Sequence, residues 1–160
     1  MVTLPLFISG EKMSEKRKLI AVSGGFDPVH IGHVQMIEAA SKLGDVLVIV
    51  NSDDWLERKK GFAFMPWDEK AYIMSQFKGV VQVTNVDDSD GTVCEALRRH
   101  KPDAFANGGD RKDNNTPEMD VCEELGIEML WNIGGEKVQS SSELTAKVKW
   151  GKMKFNGELI

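Results

Sequence analysis

Histidine, cysteine and tyrosine are scarce in this chain, at three, two and one among 160 residues. The cysteines, Cys94 and Cys122, stand in no C-x-x-C spacing and each falls in a helix-like segment. Neither a disulfide framework nor a cysteine metal site follows from them, and both read as small core hydrophobes. No apolar run is long enough for a membrane span, for which roughly 18 residues are needed. The opening "MVTLPLFISG" lacks a basic n-region and runs into "EKMSEKRK", so no signal peptide and no membrane partner are expected, and the expected location is cytoplasmic. Excess positive charge is missing too. Lys and Arg number 20 against 25 Asp and Glu, a net −5, which argues against a general nucleic-acid binder while leaving room for a local phosphate-binding patch. Internal repeats and low-complexity segments are absent.

What is present is alternation. "KLIAVSG", "DVLVIVNSD", "VVQVTNV", "AFANGG" and "IEMLWNI" read as strands, the second apolar on both faces and therefore central and parallel. Between them, "HVQMIEAASKLG" carries helical spacing at Val34, Ile37, Ala40 and Leu43, and Pro66 with "WDEK" opens a helix after a loop rich in lysine, glycine and phenylalanine. "TVCEALRRHK" and "TPEMDVCEELG" follow as helices, the latter capped by Thr116, and "SSSELTAKVKW" closes the series. The pattern predicts an α/β fold: a Rossmann-like parallel five-stranded sheet with helices on both faces. Its expected division is an N-terminal extension over 1–17, one domain over 18–148 and a tail over 149–160. In such sheets ligands collect at the carboxyl ends of strands. Gly24 and Gly25, Asn51 to Asp53, and Asn107 to Asp110 should then converge on one cleft.

One stretch concentrates the chemistry. In "SGGFDPVHIGHV" two of the three histidines, His30 and His33, lie at i and i+3 at the start of a helix, behind Gly24, Gly25, Asp27 and Pro28. Glycines let a ligand approach the backbone, and unsatisfied helix-start amides attract anions. A metal pair is one reading, with Asp27 the only nearby further ligand. Two histidines satisfied by local hydrogen bonds are a second. A clamp for a triphosphate is the third, and the glycines and the strand-turn-helix context favour it. A redox dinucleotide turn fits less well, since G-x-G-x-x-G is lacking.

"GGFDPVHIGH" resembles the G-x-F-D-x-x-H-x-G-H signature of the cytidylyltransferase-like nucleotidyltransferases. "LGDVLVIVNSD", "KKG" with "MPWDEK", "FANGGD" and "QSSSEL" extend the likeness over roughly residues 18 to 148. They are most similar to glycerol-3-phosphate cytidylyltransferases and to the nucleotidyltransferase domain of ADP-heptose synthases. The resemblance implies transfer of a nucleoside monophosphate, CMP first and AMP second, from an NTP to a small phosphorylated alcohol or sugar, with release of pyrophosphate. Pantetheine-phosphate or nicotinate-mononucleotide adenylyl transfer, and a non-catalytic nucleotide sensor, are the rivals. It further implies that His30 and His33 hold the phosphates, that Lys60, with Lys59 beside it, covers the triphosphate from a loop, and that Gly24, Gly25, Phe26 and Asp27 shape the phosphate end. Gly108, Gly109 and Asp110 would line the nucleotide side. Ser140, Ser141 and Ser142 would face the outer phosphates, and Lys70, Arg111 and Lys137 the acceptor. Mg2+ would arrive with the NTP, without a metal site of the protein's own, and a homodimer is expected.

Departures from the family pattern are equally specific. Gly25 stands where relatives carry threonine, Lys137 is the only cation near the serine helix, Lys70 replaces an arginine, and "GFAFMPW" is short and aromatic. Phe62, Phe64 and Trp67 could form a lid or simply pack. His100 reads as a helix-end cap, and Asp87, Asp88 and Asp90 as a solvated acidic turn. The tail "KVKWGKMKFNGELI" could close the site, pair two copies or extend over the surface.

Overall fold

The computed structural model describes residues 16–108 and 116–147. Most of the expected extension, the tail, the Thr116 side chain, and Gly109, Asp110 and Arg111 lie outside them. The chain runs β1 (Leu19–Gly24), α1 (Ile31–Ser41), β2 (Asp45–Val50), α2 (Asp53–Lys60), α3 (Trp67–Ser75), β3 (Val80–Thr84), α4 (Cys94–His100), β4 (Ala104–Ala106), α5 (Thr116–Leu125) and β5 (Glu128–Leu130). A last helix, α6, occupies 141–147.

All five strands are parallel, in the order β3-β2-β1-β4-β5. The period of two along each strand sorts the core into two layers. Ile20, Val22, Val46, Val48 and Ala104 meet Ile37 and Ala40 of α1 and Met74 of α3. Their neighbours Ala21, Leu47, Ile49 and Phe105 meet Ala96 and Leu97 of α4 and Val121 and Cys122 of α5. Helices on both faces explain why β2 is apolar without alternation. Cys122 is fully buried in the second layer and Cys94 packs at its margin, both as free thiols.

The structure departs from the sequence reading between β2 and α3. Residues 61–66 stay irregular as read, while the lysine end of the expected loop belongs to a helix, α2. Ser52 caps it by accepting the Trp55 N–H (3.0 Å), Asp53 and Asp54 fill the first turn, Arg58 to Lys60 the last, and Gly61 ends it at φ 90°. Charges thus complement the helix dipole at both ends, while Leu56 is its only buried residue, so no apolar stripe announces it.

The cap is itself anchored. Asp88, expected in a solvated turn, is 3% exposed and accepts from Asn51 Nδ2 (3.0 Å), Ser52 N (2.9 Å) and Ser52 Oγ (2.6 Å). Arg58 reaches its carbonyl at 2.8 Å. Asn51 to Asp53 therefore serve the start of α2 and do not join the cleft that the glycine-ended strands form. Asp87 and Asp90 do stay exposed, capping the N–H groups of Ser89 and Thr92.

Candidate active site

Chain order reverses at β1: β2 and β3 lie on one side, β4 and β5 on the other. The crevice at the carboxyl ends of β1 and β4 is where such a sheet binds ligands. A cavity of about 310 Å³ opens there, lined by Ser23 to Asp27 from β1 and its turn and by Ala106 to Gly108 from β4.

The turn leaves little room for side chains on its floor. A Cβ on Gly24 would sit 3.2 Å from the Phe26 ring, and one on Gly25 only 2.8 Å from Leu56 Cδ2. Helix α2 is thus pressed against the turn at Gly25, where the resemblance led to an expectation of threonine. Gly25→Thr is expected to cost about 1–3 kcal/mol, the usual penalty of overpacking. Adding Leu56→Val, which withdraws the methyl, should recover part of it. Urea unfolding of the two variants decides; equal midpoints for Gly25→Thr and wild type would refute the clash.

The histidines are locked by their own backbone. His30 is the N-cap of α1, and its Nδ1 accepts the Gly32 N–H at 3.0 Å. His33 Nδ1 accepts the His30 N–H at 3.1 Å, completing a reciprocal cap. An Nδ1 that accepts leaves the proton of the neutral ring on Nε2. The rings stack at 3.8 Å between centroids, 23° apart, and Phe26 meets His33 edge-on at 4.7 Å. Both rings line the cavity. The local-hydrogen-bond reading and the phosphate reading are therefore compatible: one nitrogen of each ring is structural and the other is a donor.

Burial, and then the charge of His30, pushes His33 down to about 3. Burial, and then Lys137, lowers His30 as well. Both are neutral N–H donors at pH 7. Unfolded His33 titrates near the ordinary 6.5, so between 6.5 and about 3 the unfolded chain binds a proton that the native chain does not. Stability is fully present above 6.5 and falls as pH drops, by about 1.4 kcal/mol per unit. From pH 6.5 to 5.0 this group should cost roughly 2 kcal/mol. His33→Asn keeps an acceptor for the His30 N–H without titrating, so its urea midpoint should fall less over that range. An equal fall in both proteins would exclude His33 as the source.

Asp27 organises the opposite rim. It is 1% exposed; Oδ2 accepts from Phe64 N and Oδ1 from Met65 N, both at 2.6 Å, which ties down the segment between α2 and α3. Lys60 donates to the Asp27 carbonyl at 2.6 Å and pairs with Oδ2 at 3.2 Å. Lys60 lines the cavity from the last turn of a helix, where a loop was expected. Lys59 sits over the Trp55 ring at 4.6 Å, and both line the same wall. Trp67 resolves toward packing: its Nε1 donates to Val50 O at 3.1 Å and its ring joins the core. Phe62 lies 5.1 Å from Lys60 Nζ, and Phe64 is largely exposed. Lys70 corrects an expectation, for it is fully buried and does not line the cavity. His100 sits in the last turn of α4, as the helix-end reading expected, and its Nε2 meets Thr84 Oγ1 at 3.0 Å.

The third wall is the loop before α6. Gly134, at φ 91°, brings its Cα against the backbone of Met36, where a Cβ would sit 2.9 Å away. Gly134, Gly135, Gln35 and Met36 line the cavity without having been foreseen; the adjacent glycines in "NIGGEK" were the available signal. Ser140, Ser141, Ser142 and Lys137 line it too. The hydroxyls are partly committed: Ser141 Oγ donates to Pro28 O at 2.7 Å, and Ser140 Oγ accepts the Glu143 N–H at 3.3 Å. Gly108 also lines the cavity. Among the described residues no group of three or more His, Cys, Asp or Glu is placed to hold a metal ion. The oxygens of Asp27, the one carboxylate the sequence offered, are occupied by N–H groups and Lys60. None of the described helices is long and apolar enough to cross a membrane.

Comparison with known proteins gives the chain's family and fold relatives. Residues 21–131 match the profile of the family described as Cytidylyltransferase-like. The Bifunctional protein HldE of a Nitratiruptor species is 31% identical over 123 residues, 75% of this chain and 26% of that protein. The HldE protein of Desulfatibacillum aliphaticivorans is 35% identical over 69% of this chain and 23% of its own length. The chain thus spans about a quarter of the length of these curated relatives. A lipopolysaccharide core biosynthesis protein from Thermoplasma volcanium superposes with a TM-score of 0.64 at 21% identity, over 77% of this chain and 99% of that one, a likeness of fold.

Proposed function

The chain belongs to the cytidylyltransferase-like family of nucleotidyltransferases, and from that premise we propose that it transfers AMP from ATP to a small phosphorylated sugar. The observation that carries transfer chemistry is the pair of backbone-locked histidines, whose Nε2–H groups are donors at the floor of a glycine-lined cavity. An oxygen of the acceptor's phosphate attacks the α-phosphorus in line. A P–O bond forms to the acceptor, the bond to the bridging α,β-oxygen breaks, and pyrophosphate leaves. Positioning and charge stabilisation carry such a step. His30 and His33 would meet the charge that builds on the phosphates, Lys60 the outer charge, and Mg2+ would enter as part of the nucleotide substrate.

CTP was the donor expected first from the motif. The relatives move the choice to ATP, since the HldE proteins that are 31% and 35% identical to this chain are of the ADP-heptose synthase type. Pyrophosphate release from each NTP across sugar 1-phosphates, glycerol phosphate, pantetheine phosphate and nicotinate mononucleotide tests the proposal. Release from ATP with a sugar phosphate is the expected result. Release from CTP with glycerol phosphate would reassign donor and acceptor. NTP binding by calorimetry without turnover of any acceptor would make the protein a sensor.

A further inference from the structure

Trp55 is the one aromatic residue of α2, and the packing of that helix does not need it. The only buried side chain of α2 is Leu56. Among the described residues the core layers take in Trp67, whose Nε1 also bonds Val50 O, but not Trp55. Trp55 stays half-buried and lines the cavity. Its backbone fixes its place: the N–H donates to Ser52 Oγ at 3.0 Å, and that hydroxyl donates to Asp88 Oδ1 at 2.6 Å.

The indole reaches the phosphate end of the cavity. A Cβ on Gly25 would lie 3.5 Å from Trp55 Cζ3, so the ring edge stands beside the glycine turn. The Lys59 ammonium is 4.6 Å from the ring centroid, and Lys60 lines the same wall. An exposed cation–π contact is too weak to account for the ring by itself. A flat apolar surface with a cation against it matches a ring that carries phosphate directly on one of its carbons, as a sugar 1-phosphate does. In a nucleotide, by contrast, the ribose separates the base from its nearest phosphate. Strand order agrees with an acceptor at this wall. β2, which leads into α2, and β4, which leads into Gly108, flank β1 on opposite sides, so two substrates can meet over the glycine turn, each with its own wall.

We propose that Trp55 is a specificity-determining residue: its indole is the platform on which the sugar ring of a phosphorylated acceptor stacks, with Lys59 beside the phosphate that ring carries. The C–H groups on one face of a pyranose pack against an aromatic face, which removes apolar surface from water on both. The inference rests on the sugar-phosphate reading of the function.

Steady-state kinetics of Trp55→Leu and Trp55→Phe test it, with the NTP that wild type uses and with glucose, mannose and heptose 1-phosphates as acceptors. In Trp55→Leu the KM for the sugar phosphate should rise about tenfold, while kcat and the KM for the NTP stay within about twofold of wild type. Trp55→Phe keeps a smaller ring and should raise the sugar-phosphate KM only about threefold. Thermal melts report folding, and the phenylalanine variant carries the test should the leucine variant fail to fold. An unchanged sugar-phosphate KM would overturn the proposal. So would an equal rise in the KM for the NTP, which would give the indole to the base, or a fall in kcat alone, which would make it part of the framework. If wild type turns over no sugar phosphate with any NTP, the acceptor class proposed above falls, and this inference with it. If wild type does so and only the KM shift is missing, the role of Trp55 falls alone.

Discussion

His30→Asn is expected to lower turnover on the order of 10²–10³-fold while leaving the fold as stable as wild type. Removing one preorganised donor from a site where charge develops typically has that effect on rate. Stability should hold because asparagine is among the best N-cap residues, and its carbonyl oxygen can accept the Gly32 N–H as His30 Nδ1 does at 3.0 Å. His30→Ala should be equally slow but also less stable, by about 1 kcal/mol for the lost cap. The pair of variants separates the two jobs of one ring. Were His30 only a cap, the asparagine variant would work at the wild-type rate and the alanine variant would fail through instability. Pyrophosphate release and urea unfolding, measured on the same preparations, distinguish these outcomes.

The fold was legible wherever burial imposes a period. β2 and its neighbours announce themselves because two helical layers cover them, and the crevice follows from the order of strands and helices. The glycine turn and the two histidines were legible as well, because their chemistry is local and sits in one stretch. The failures share a different cause. Helix α2 is held by caps and end charges around a single buried leucine, so periodicity had nothing to detect. Asp88 looked solvated because its partners, Asn51 and Ser52, are 37 and 36 positions away. Lys70 was expected at the acceptor because it stands at a helix start where the resembling family carries an arginine, and charged side chains are rarely buried. Only the packing of α3 against α2 buries it, 3.7 Å from Asp53. The tautomer of each histidine is likewise invisible in sequence, since it depends on which backbone N–H each Nδ1 meets.

Asp27→Ala should be the most damaging single change to stability among these residues, at about 3–5 kcal/mol, the typical cost of removing one partner of a buried ion pair. Three donors lose their acceptor at once: the Phe64 N–H, the Met65 N–H and one contact of Lys60. Lys60 is only 12% exposed and keeps its bond to the residue-27 carbonyl, so its charge would be left largely buried without a counter-ion. The consequence differs in kind from that of His30→Asn. There the framework survives and one donor is missing; here the segment joining α2 to α3 loses its anchor, and with it the placement of Lys60. Tripolyphosphate affinity and the urea midpoint should therefore fall together in Asp27→Ala, while His30→Asn leaves the midpoint in place. A wild-type midpoint for Asp27→Ala would show that the segment is held by other contacts and that Asp27 does not organise this rim.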